Sequence, residues 1–88
     1  MVSFSFTLHD PEGFHAKAAG DLVEAALKCS SRVAIYVGGR TGDAKQIFNV
    51  MCLGAKNNDE VRMTVEGPEE ETDSTYLRQV LTDRFGNP

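Results

Sequence analysis

A chain of 88 residues has room for one compact domain, and 41% hydrophobic with 25% charged residues is the balance of an ordinary globular protein. No apolar run reaches the roughly 18–20 residues that span a bilayer, and the first residues lack the basic leader of a signal peptide, so no membrane insertion and a cytoplasmic location are expected. The net charge of -4 is uneven, with five acids against six bases over residues 1–56 and eight against three over residues 57–88; no basic patch interleaves with aromatics, which argues against nucleic acid as a partner.

Val2, Phe4, Phe6 and Leu8 alternate with Ser3, Ser5 and Thr7, the period of a strand with one face in the core. Asp10-Pro11-Glu12-Gly13 breaks it, because proline fixes φ and glycine frees it. From Ala16 to Lys28 the spacing of Ala18, Ala19, Leu22, Val23, Ala26 and Leu27 predicts an amphipathic helix exposing Lys17, Asp21, Glu24 and Lys28. Gly20 inside it costs about 1 kcal/mol relative to alanine, which points to a close contact there.

Arg32 to Val37 is β-branched and aromatic and reads as a strand; Gly38-Gly39 turns it into a short third strand over Arg40 to Ala44. Ile47 to Leu53, closed by Gly54, predicts a helix of about two turns. After a turn at Asn57-Asn58-Asp59, Glu60 to Glu66 alternates, with Val61, Met63 and Val65 inward and Arg62 and Thr64 outward. Tyr76, Leu77, Val80, Leu81 and Phe85 then follow helical spacing up to Gly86. Pro68 and Glu69-Glu70-Glu71 suit that helix's N-terminus, where acids meet the positive end of the dipole. The order βαββαβα predicts one α+β domain over residues 1–88. It is expected to be a two-layer open-faced sandwich with a four-stranded antiparallel sheet and three helices on one face.

Cys29 and Cys52 form no CxxC and, with His9 and His15, no zinc spacing. They are read as buried or half-buried reduced thiols, and no metal is expected. The chemistry converges instead on Gly13-Phe14-His15-Ala16-Lys17. A helix start leaves backbone N–H groups free, here those of Ala16, Lys17 and Ala18, and these make a ready phosphate site. Neutral imidazole is nucleophilic and forms covalent intermediates, and Lys17 adds positive charge beside an attached phosphoryl group. His9, with neither helix start nor cation beside it, reads as a structural or surface histidine. On a short helix Ile47 and Phe48 cannot both easily face inward, so at least one is expected at the surface.

Gly13-Phe14-His15-Ala16-Lys17-Ala18-Ala19 resembles the motif Gly-Leu-His-Thr-Arg-Pro-Ala of the HPr family, histidine phosphocarriers of the bacterial phosphoenolpyruvate-dependent sugar phosphotransferase system. Ala44 to Gly54 is similar to a second family stretch, Lys-Ser followed by a short apolar helix ending in Leu-Gly. The resemblance covers residues 2–85. It implies a phosphohistidine on Nδ1 of His15, received from enzyme I and passed to the A component of a sugar-specific enzyme II, with no cofactor and a monomeric carrier. Lys17 takes the place of the assisting arginine, and Ile47, Phe48 and Met51 match the apolar surface that docks partners.

Several positions depart from the family pattern. Lysine lacks the planar fork of arginine, Ala18 replaces proline, and Ala16 lacks a hydroxyl. Asp21 and Glu24 add acids to the helix face. Gln46 stands where many Gram-positive relatives have a serine phosphorylated by an ATP-dependent kinase, so that regulation is excluded at this position. Two other readings stay open at this point: an HPr-like regulatory binding module without efficient phosphotransfer, and a small ligand-binding α+β domain.

Overall fold

In the computed structural model, which describes residues 1–86, the alternating segments pair into one sheet and the helical segments cover it. The elements are β1 (Val2–Thr7), α1 (Ala16–Leu27), β2 (Arg32–Val37), β3 (Arg40–Asp43), α2 (Ile47–Cys52), β4 (Glu60–Glu66) and α3 (Glu70–Leu81). The strands lie in the order β1-β4-β2-β3, each neighbour antiparallel. This is the expected α+β architecture.

Register follows from the apolar alternation. Phe4 pairs with Met63 and Met63 with Ile35, while Val65 pairs with Val2 and Val33, so the inward residues line up in rows across the sheet. A slip of one residue would turn every one of them to solvent. These rows meet Ala18, Ala19, Leu22 and Ala26 of α1 and Leu77 and Leu81 of α3, all buried. On the open face Arg62 lies 4.1 Å above the Tyr36 ring, its cross-strand partner. No helix among the described residues is long and apolar enough to cross a membrane.

Five local expectations change. Leu27 is not in the α1 stripe but 61% exposed, whereas Ala25 is buried. At about 100° per residue Leu27 falls outside the arc centred between Leu22 and Ala26, and Cys29 continues the stripe instead. Gly20 makes no close approach: a β-carbon there would meet Ile47 Cδ1 at 3.9 Å, an ordinary contact. Thr64, expected outward, is buried because it sits on the central strand between Ser3 and Ala34. Cys52 is exposed, while burial pushes the Cys29 thiol up. The last helix does not run uniformly to Phe85; α3 passes into a π-helical turn over Thr82–Gly86, which still delivers Phe85 to the core.

Glu69 occupies the start of α3 and Glu70 accepts a hydrogen bond from Gly67 N at 3.1 Å, as the acidic run foretold. One turn on, Asp73 Oδ2 accepts from both Ser31 N at 3.0 Å and Ser31 Oγ at 2.6 Å, tying α3 to the entry of β2. The hydroxyl of Ser31, foremost, holds the Asp73 carboxyl below its ordinary value of 3.8. A depressed carboxylate contributes stability above its unfolded pKa and loses it as pH falls through the folded one. Asp73→Ala should therefore cost about 1–3 kcal/mol at neutral pH, leaving the buried Ser31 N–H unpaired. In urea titrations repeated on acidification, the gap to wild type should narrow below the ordinary carboxylate value.

Candidate functional site

The break after β1 folds into a tight turn. Gly13 N donates to Asp10 O at 2.9 Å, and Glu12 N donates to Asp10 Oδ1 at 3.0 Å, a side chain imitating a backbone turn. Gly13 has φ +66, and a β-carbon on it would lie 2.1 Å from Ala55 O, so backbone and neighbour both require glycine. Phe14 follows with its N–H donated to that same Ala55 O at 3.2 Å and its ring edge-on to Phe85 at 5.9 Å. The residue before the histidine is thus anchored from two sides.

His15 is the N-cap of α1, with φ -76 and ψ 177 and no capping bond from its side chain. The first helical bond runs from Ala19 N to His15 O at 2.8 Å. The N–H groups of Ala16, Lys17 and Ala18 therefore have no acceptor within the helix. The His15 side chain is 32% exposed, enough for a reaction partner to reach it. Its Nε2 lies 3.4 Å from Oδ2 of Asp10, a buried acid. Asp10 has no signal in the sequence that marks it as a partner of His15. An acid five positions ahead of a histidine carries no helical or strand period, and only the turn brings the two together.

Lys17, in the first turn after His15, is engaged along the helix. Its Nζ lies 3.6 Å from Asp21 Oδ2, because residues four apart on a helix face each other. Arg84, 63 residues on in sequence, holds the same carboxylate oxygen at 3.0 Å. The Arg84 hydrogen bond, with Lys17 adding to it, keeps the Asp21 carboxyl below its ordinary value. Asp21, one of the two acids on this helix face, is thus countered by two cations. Lys17 itself is 76% exposed and held by a long surface contact, which costs little to leave.

Within α2, Val50 turns into the core while Phe48 is 76% and Ile47 36% exposed, with Met51 half-buried. Both members of the adjacent pair reach the surface, Phe48 the further of the two. Gln46 is the N-cap of α2 and supplies no side-chain capping bond. His9 is exposed and engages the fold through its backbone, donating N–H to Phe85 O at 2.8 Å. Among the described residues, no group of three or more His, Cys, Asp or Glu side chains is gathered as a metal site would need.

Residues 2–83 match the family described as PTS HPr component phosphorylation site. The chain is 31% identical over 85 residues to the phosphocarrier protein HPr of Xylella fastidiosa (strain Temecula1), covering 97% of this chain and 96% of that one. It is 35% identical over 82 residues to phosphocarrier protein HPr of Mycoplasma genitalium, covering 92% and 93% respectively. Among solved structures it is similar to HPr-C-His from Thermoanaerobacter tengcongensis. That match has a TM-score of 0.87 and 27% identity over 100% of this chain and 99% of the other. A histidine at an open helix start, on this sheet order and with this coverage, places the chain in the HPr family of phosphocarrier proteins.

Proposed function

We propose that this chain carries a phosphoryl group on Nδ1 of His15, accepting it from an enzyme I and passing it to the A component of a sugar-specific enzyme II. The observation that supports this reading most is the placement of His15 as the N-cap of α1, beside N–H groups with no helical acceptor. Nδ1 attacks phosphorus as the bond to the donor breaks, and the ring becomes an N-phosphorylated imidazolium. Onward transfer breaks the new N–P bond and returns the neutral ring. The N–H groups of Ala16, Lys17 and Ala18 complement the phosphoryl oxygens. Lys17 joins them by leaving Asp21, which keeps Arg84 as its partner.

Ile47, Phe48 and Met51 form the docking face, with the exposed Phe48 ring as its anchor. A monomer in the cytoplasm completes the reading. Incubation with enzyme I and labelled phosphoenolpyruvate should give an acid-labile, base-stable adduct that disappears in His15→Ala. An unlabelled wild-type chain overturns the proposal. Phe48→Glu should slow transfer by about tenfold or more while leaving the fold intact; unchanged transfer removes this face from the docking surface. The engagement of Lys17 with Asp21 favours one second reading, a regulatory binding module of low transfer rate. It predicts partner binding through Phe48 with little or no label on His15.

A further inference from the structure

Asp10 does two things at once. Its Oδ1 accepts the Glu12 N–H at 3.0 Å, which shapes the turn, and its Oδ2 faces Nε2 of His15 at 3.4 Å. The carboxylate is almost fully buried while the imidazole is partly exposed, so the acid is a fixed element and the ring rests against it. An ionised carboxylate only accepts hydrogen bonds. The neutral ring beside it is therefore favoured with its proton on Nε2, and the lone pair then belongs to Nδ1.

We propose that Asp10 is a positioning residue that holds the proton of neutral His15 on Nε2 and so presents the Nδ1 lone pair to the incoming phosphorus. The role rests on the reading of His15 as a phosphoryl acceptor. Attack forms the Nδ1–P bond and breaks the bond from phosphorus to the donor's leaving group. No proton has to move: Nε2 keeps its hydrogen through acceptance and release. The positive charge that the ring gains on phosphorylation develops next to the Asp10 carboxylate, so the acid favours the loaded state over the empty one. Phosphorylation is also directed away from Nε2, which faces the acid.

Two substitutions distinguish this role from that of a turn residue. In Asp10→Asn the amide oxygen can keep the Glu12 N–H bond, which turns the NH2 group toward Nε2. That donor needs a lone pair on Nε2 and drives the proton to Nδ1, the wrong tautomer for attack. In Asp10→Ala the turn bond is lost and neither tautomer is imposed from this side. A positioning role ranks the proteins wild type, Ala, then Asn; a turn role ranks them wild type, Asn, then Ala.

The test uses the whole chain and phosphoramidate, a small phosphoryl donor that needs no partner and releases ammonia. Residue-resolved 15N and 31P spectra follow the site and rate of adduct formation, with exposed His9 as the internal reference. The same spectra report the tautomer of the unphosphorylated ring under mildly alkaline conditions. Asp10→Asn should slow the His15 Nδ1 adduct by about fivefold relative to wild type, and Asp10→Ala by about twofold. Nδ1–H should rise in Asn, and an Nε2 adduct should appear in both variants. Asn equal to wild type, or slower adduct formation in Ala than in Asn, overturns the role of Asp10 while His15 remains an acceptor. No His15 adduct in the wild type overturns the acceptor reading and the role of Asp10 with it.

Discussion

Replacing Phe85 with alanine is expected to destabilise the fold by about 3–5 kcal/mol, the largest effect of any single side chain near the site. Phe85 is fully buried. Its ring stacks on Phe6 at 6.0 Å and meets Phe14 edge-on at 5.9 Å, so it joins β1, the end of the chain and the residue before His15. Truncation leaves a cavity at that junction, where β1 and the residue before His15 meet the turn that carries Phe85. Urea unfolding measures the loss. The same variant should broaden or shift the Phe14 and His15 amide resonances, because Phe14 loses one of its two anchors. A cost under about 1 kcal/mol would mean that the turn collapses into the space and that the site does not depend on it.

Gly13→Ala should cost about 3 kcal/mol or more and should damage the site as well as the fold. Two effects combine there: φ of +66 and a β-carbon 2.1 Å from Ala55 O. Gly38 has nearly the same φ, +60, with nothing within 4 Å of the added atom. Gly38→Ala therefore measures the backbone part alone, about 1 kcal/mol. The difference between the two variants is the clash with Ala55. Relieving it has to pull Gly13 from Ala55, which breaks the Phe14 N–Ala55 O bond and displaces His15. Melting experiments give the stabilities, and the rate of His15 phosphorylation gives the functional loss. If Gly13→Ala cost no more than Gly38→Ala, the contact with Ala55 would be soft and His15 would not be held from that side.

Both predictions concern features that differ in how far they could be read from sequence. The strand Glu60–Glu66 and the strand Arg32–Val37 have the bounds that alternation and composition predict. Period two is a local property that a half-buried strand imposes on every second residue. The helix starting after His15 was equally legible, since a proline-glycine turn followed by apolar residues at three and four is a local signal. Leu27 shows the limit. It is apolar and adjacent to the stripe, but the last turn of α1 reaches the core through Ala25 and Ala26, and the width of the covered arc leaves Leu27 outside.

The histidine at a helix start was thus determined by the chain itself, together with the family motif around it and the exposure of at least one of Ile47 and Phe48. Tertiary structure alone decided what stands next to that histidine. Asp10 reaches His15 because the Gly13 turn folds back against Ala55, and Arg84 from the other end of the chain joins the local Lys17–Asp21 pair. The physical reason is range. Hydrophobic period and capping act over three or four residues, whereas a carboxylate and its partner need only meet in space, and no local pattern records where the chain returns.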